Sequence, residues 1–112
     1  MFGITSQTLS TFKMLVHTVF FWLKPDLSEE ERQLFHNEVK SLGSIESVAG
    51  FYHGKPSATP PREVVDDTYD LGLTVILADL GAHDAYQADP IHLAFVEKCK
   101  PLWEKVKIYD AE

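Results

Sequence analysis

Five histidines and one cysteine carry most of the reactive side-chain chemistry in this chain of 112 residues. His92 is the most informative of them. It follows Asp89 and Pro90, where an Asp cap and a Pro in the first turn mark a helix start. The positive end of a helix disfavours an imidazolium, so the ring tends towards its neutral, proton-accepting form. Given a shared cavity, the Tyr86 hydroxyl could hold a carbonyl oxygen while the imidazole removes a proton beside it. That is enolising or aldol-type chemistry on a small carbonyl compound, and it needs no cofactor. Plainer uses stay open, since a His in a first helical turn also serves as a cap or surface residue and a Tyr near a helix end as half-buried core. His17, on an otherwise apolar strand face, reads as a hydrogen-bonded core residue as readily as a base or ligand. His36, His53 and His83 read as surface or loop residues, and no two histidines stand at the i, i+4 spacing of a zinc motif, so no metal is expected. Cys99, near the end of an apolar helix face, reads as buried and inert. A Gly-rich phosphate loop, a Ser-His-Asp arrangement, a nucleophile elbow and a haem signature are all absent from the sequence.

Composition narrows the setting in which such chemistry would occur. At 45% hydrophobic, the chain has the apolar material for one domain with a real core and no length for a second. Its formal charge of -7 disfavours nucleic acid and anionic membrane surfaces as partners. No apolar run approaches the roughly 18 residues of a membrane-spanning helix. A single cysteine cannot form an intrachain disulfide, which fits a reducing, cytoplasmic location. Residues 1–13, MFGITSQTLSTFK, read as an N-terminal tail before a domain over residues 14–112.

The elements that must position these residues are legible from alternation and punctuation. Leu15 to Leu23 reads as a strand stopped at Lys24-Pro25. Leu15, His17, Val19, Phe21 and Leu23 point one way, and Val16, Thr18, Phe20 and Trp22 the other. Ser28 followed by Glu31 is a capping-box signature that opens a helix to about Leu42, with Leu34, Phe35, Val39 and Leu42 at helical spacing. Val48 to Lys55 reads as a second strand, Pro56 to Glu63 as an irregular loop and Tyr69 to Ala78 as a third strand. A short helix after Gly81 runs to about Ala88, a further helix opens at Asp89-Pro90 and ends at Pro101, and Val106 to Tyr109 reads as a short final strand. The fold class expected is α+β: a ferredoxin-like β-α-β-β-α-β domain with a four-stranded antiparallel sheet and helices on one face. The uncovered face, bearing Val16, Phe20 and Trp22, is too apolar for a monomer, so a homodimer closing into an α/β barrel is expected. A loop folded over that face is the alternative.

The segments HTVFFWLKPDLSEEE, FYHGK, AYQADPIHLAFVE and WEKVKIYD, in this order and spacing, resemble the stress-responsive A/B barrel domain family, often called Dabb. The resemblance covers Met14 to Asp110 and implies a ferredoxin-like homodimer with a central barrel. Within the family, the Tyr and His of the second helical region resemble those of the olivetolic acid cyclase branch of plant polyketide cyclases. That likeness implies catalytic positions for Tyr86 and His92, and a pocket between sheet and helices lined by His17, Val19, Phe21, Phe35, Val39, Leu71 and Leu73. Leu71 and Val39 stand where that branch carries a His and a Tyr, which implies a different substrate.

Three readings follow. The leading one is a homodimer binding a small organic ligand in a pocket between sheet and helices, where cofactor-free proton transfer is open to it but not required. The second is a non-catalytic stress or assembly protein with no ligand. The third is a polyketide-cyclase-like enzyme using Tyr86 and His92.

Overall fold

The computed structural model describes residues 13–112, so all but the last residue of the expected tail lies outside the described residues. Strand β1 is Leu15–Leu23, as the alternation predicts. Helix α1 is Glu29–Ser41, followed by a 3-10 turn Leu42–Ser44. Its start is a closed capping box: Glu31 N–H donates to Ser28 Oγ at 3.1 Å and Ser28 N–H to Glu31 Oε1 at 2.9 Å. Strands β2, Val48–Gly54, and β3, Leu71–Leu77, follow, with the long irregular connection between them. Helix α2 is Leu80–Ala88, helix α3 is Pro90–Cys99, and a 3-10 turn Lys100–Leu102 leads into strand β4, Trp103–Ala111.

The sheet order is β2-β3-β1-β4 with every neighbouring pair antiparallel, the ferredoxin-like arrangement expected. Two boundaries differ instructively from the sequence reading. Strand β4 spans nine residues rather than the short Val106–Tyr109, because it pairs with β1 along most of its length. Backbone pairing there overrides the weak strand preference of Glu104, Lys105 and Asp110. Helix α2 begins at Leu80 rather than after Gly81, since the Asp79 carboxylate accepts from Ala82 N–H at 2.8 Å and caps it.

The helices pack on one face of the sheet, and the core lies between. Along β1, Leu15, His17, Val19, Phe21 and Leu23 are buried while the alternate residues are only half-buried. Leu71, Leu73, Val75 and Leu77 of β3 face the same core, met by Phe35 and Val39 of α1, Tyr86 of α2 and Phe95 and Cys99 of α3. Leu34, expected in the same apolar stripe, is 37% exposed.

The other face is covered only in part. Tyr69 leaves the expected third strand and packs its ring 4.9 Å from that of Phe20, and Trp22 Nε1–H donates to Thr68 Oγ1 at 3.0 Å. The end of the long connection thus shelters one corner. Tyr52 and Tyr109 are largely exposed.

Phe35 is fully buried, with its ring 5.3 Å from Phe21. Phe35→Ala is expected to cost about 3–5 kcal/mol, a large share of the roughly 5–15 kcal/mol that holds a domain folded. Leu34→Ala should change stability by no more than about 0.5 kcal/mol. Urea unfolding of the two variants checks the contrast.

Candidate functional site

Antiparallel pairing sets His17 of β1 directly opposite Asp110 of β4. Directly opposed residues in such a ladder project to the same face, so both side chains stand on the helix side. His17 Nδ1 lies 2.5 Å from Asp110 Oδ1. An ionised carboxylate only accepts, so in this pair the ring nitrogen is the donor. His17 is buried, whereas the Asp110 side chain is 44% exposed at the open edge of β4.

Tyr86 and His92 come from the two sides of one sharp corner. Asp89 ends α2 and caps α3, its carboxylate accepting from Ile91 N–H at 2.8 Å. The last turn of α2 and the first turn of α3 therefore face each other. The ring centroids of Tyr86 and His92 are 4.9 Å apart, and the Tyr86 ring is 5.8 Å from that of His17. Burial pushes the Tyr86 phenol well above its ordinary value, so near neutral pH it keeps its proton and acts as a donor. Burial also holds the His92 imidazole below its ordinary 6.5; the charges of His17 and His83 add to this, while the Gln87 main chain and Asp89 oppose it. Among the described residues, none is a hydrogen-bond partner of the buried His92 Nδ1.

These rings border a cavity of about 160 Å³ between sheet and helices. For scale, an engineered cavity of about 150 Å³ binds benzene. One part of its wall is polar: His17, Tyr86, Gln87 and His92. The remainder is apolar, with Val19, Phe21 and Leu73 from the sheet, Phe95 and Val96 from α3, and Trp103, Val106 and Ile108 from β4. Of the residues expected to line the pocket, His17, Val19, Phe21 and Leu73 do so. Phe35, Val39 and Leu71 do not, being packed into the core outside this cavity.

Two neighbours of His17 were not singled out by sequence reasoning. Asp110 lies one residue beyond the expected end of the last strand, so nothing placed it opposite β1. His83, expected on the surface or in a loop, is on α2 with its ring 5.3 Å from His17 and its side chain 21% exposed. His36 is half-buried on α1, and His53 is half-buried within β2 rather than in a loop. The Cys99 thiol is pushed up to about 12, chiefly by burial, and is no nucleophile at neutral pH.

A family model for the stress responsive A/B barrel domain matches residues 15–112. The chain belongs to that family. Among solved structures, this Dabb domain is similar to a Dabb family protein with a ferredoxin-like fold from Mesorhizobium loti, at 30% identity and a TM-score of 0.70, covering 88% of this chain and 95% of that one. It is also similar to the hydroxynitrile lyase of Passiflora edulis, at 18% identity and a TM-score of 0.75, covering 89% and 93% of the two chains. A dimeric ferredoxin-like protein of unknown function from Thermobifida fusca matches at 15% identity and a TM-score of 0.71, covering 88% and 89%. The last two likenesses are of fold alone. No curated protein matches the chain. No helix among the described residues is long and apolar enough to cross a membrane.

A histidine held below its ordinary value in the Dabb domain makes stability depend on pH with a definite sign. The unfolded chain binds that proton more tightly than the folded one, so stability is full above about 6.5 and falls as the pH drops through that value. His36, also lowered, chiefly by burial and then by Lys55, acts in the same direction. The urea midpoint should decline between pH 7 and pH 5.5, and His92→Gln should remove part of that slope. A slope unchanged by the substitution would show that His92 is not the group titrating.

Proposed function

We propose that this Dabb domain is a homodimer in which each subunit binds a small carbonyl compound in the cavity between sheet and helices, and moves a proton on it without a cofactor. The observation that carries the reading is the placing of three buried groups, His17, Tyr86 and His92, around one cavity of about 160 Å³ whose other walls are apolar. Tyr86, kept protonated by burial, donates its hydroxyl to the carbonyl oxygen. His92, kept neutral by burial, takes the proton that the polarised carbonyl has made acidic. His17, oriented by Asp110, lies on the same polar part of the wall, beside the place of the bound oxygen. Such acid–base assistance is worth typically about 10²–10⁴ in rate.

A ligand of about the size of benzene, with one oxygen function towards His17, Tyr86 and His92 and an apolar body towards Phe21 and Phe95, suits the wall. The fold's hydroxynitrile lyase is consistent with chemistry of this class. The cyclase-like variant of the reading, with Tyr86 and His92 closing a ring, uses the same acid and base.

The homodimer reading rests on the sheet face bearing Val16, Phe20 and Trp22, which the chain's own loop shelters only at one corner, and on the dimeric state of structural relatives. A second copy of the same face is its natural cover. A cytoplasmic location fits the unpaired, buried Cys99.

Hydrogen–deuterium exchange at carbon next to the carbonyl, followed by proton NMR over a panel of small aldehydes and ketones in heavy water, tests the chemistry directly. Catalysed exchange is expected for compounds that fit, falling about 10²–10⁴-fold in His92→Ala and also falling in Tyr86→Phe. Exchange equal in both folded variants and the wild type excludes the mechanism, and neither binding nor exchange across the panel favours a non-catalytic assembly role.

Phe20→Glu is expected to shift the protein from dimer to monomer in sedimentation velocity while its circular dichroism stays native. A dimer that survives Phe20→Glu unchanged would place the interface elsewhere.

A further inference from the structure

The cluster at the edge of the cavity has a use that proton transfer does not exhaust. His17 from β1, His83 from α2 and Asp110 from β4 each present a ligand-type atom, and all three atoms lie within 4.8 Å of one another. These are two imidazoles and one carboxylate from three separate elements. We propose that they form a binding site for a borderline divalent transition cation of the Zn²⁺, Co²⁺ or Ni²⁺ type. The site shares His17 with the small-molecule reading of the cavity but does not rest on that reading.

The donor set selects the class of ion. Nitrogen ligands suit zinc, cobalt and nickel, whereas magnesium and calcium prefer all-oxygen surroundings. Three protein ligands leave a tetrahedral ion with a fourth position for water or another small ligand. The chain's formal charge of -7 adds a general attraction for cations.

The geometry requires contraction in one place and opening in another. Bonds of about 2.0–2.2 Å put neighbouring donors of a tetrahedral ion roughly 3.3 Å apart. His17 and Asp110, now sharing a hydrogen bond at 2.5 Å, must separate slightly, and the ion replaces the proton between them. His83 must move inwards. Both adjustments fall on the more exposed members of the cluster: the Asp110 side chain is 44% exposed, and the His83 side chain, 21% exposed, has a contact of 3.2 Å with the exposed Asp84. His17, buried in the sheet, is the fixed anchor.

His83 does not line the cavity, which separates the two proposals experimentally. Titration of the full chain with Co²⁺ alone is expected to give one ion per chain with a visible d–d absorption band of low-coordinate cobalt. His83→Ala should weaken binding at least tenfold while exchange activity or ligand binding in the cavity is retained. Asp110→Asn, which keeps a hydrogen-bonding group opposite His17, should weaken it as well. A double His36→Ala/His53→Ala variant, altered on the α1 and β2 side of the sheet, should bind Co²⁺ like the wild type. Equal binding by wild type and His83→Ala, binding lost only in the double variant, or no band at one equivalent each overturns the proposal.

Discussion

The register between β1 and β4 is the constraint on which the rest of this molecule depends. Beta1 is central, paired with β3 on one side and β4 on the other, and every second residue along it is buried. Side chains alternate with a period of two, so a slip of one residue would turn His17 outwards and bring Phe20 and Trp22 into the core. The same register puts Asp110 opposite His17 and Ile108 opposite Val19. One pairing therefore decides both which face is core and which polar groups meet inside it.

Burial then gives each polar group its character. The Tyr86 hydroxyl is held as a donor and the His92 ring as a neutral imidazole by the same desolvation, acting on an acid and a base in the directions their charged forms dictate. His17 differs because it has a partner, the Asp110 carboxylate opposite it. Tyr86 and His92, with ring centroids 4.9 Å apart, are thus set as a donor and a proton acceptor by one physical cause.

Much of this was legible in the sequence because it is local or periodic. The alternation of β1 located His17 on the core face, and Asp89-Pro90 located the corner between Tyr86 and His92. What escaped was non-local. Asp110 matters through a partner 93 residues away, and it stands just past the last residue that carries a strand signal. His83 was read as a surface or loop residue because its neighbour is non-local too: the His17 ring on β1, 5.3 Å away. Phe35, Val39 and Leu71 show the remaining limit: periodicity identifies residues that face inwards but cannot tell a core wall from a cavity wall.

Asp89 joins two helices with no linker between them. Helical residues succeed one another at about 100° around the axis. An added or deleted residue between Tyr86 and His92 would swing one ring away from the other by that angle, and no slack exists to absorb it. The long connection between β2 and β3 has the opposite property, since it crosses the surface and meets the sheet only at its far end. Length variation among related chains should accordingly gather in that connection and be absent from the six-residue step around the corner.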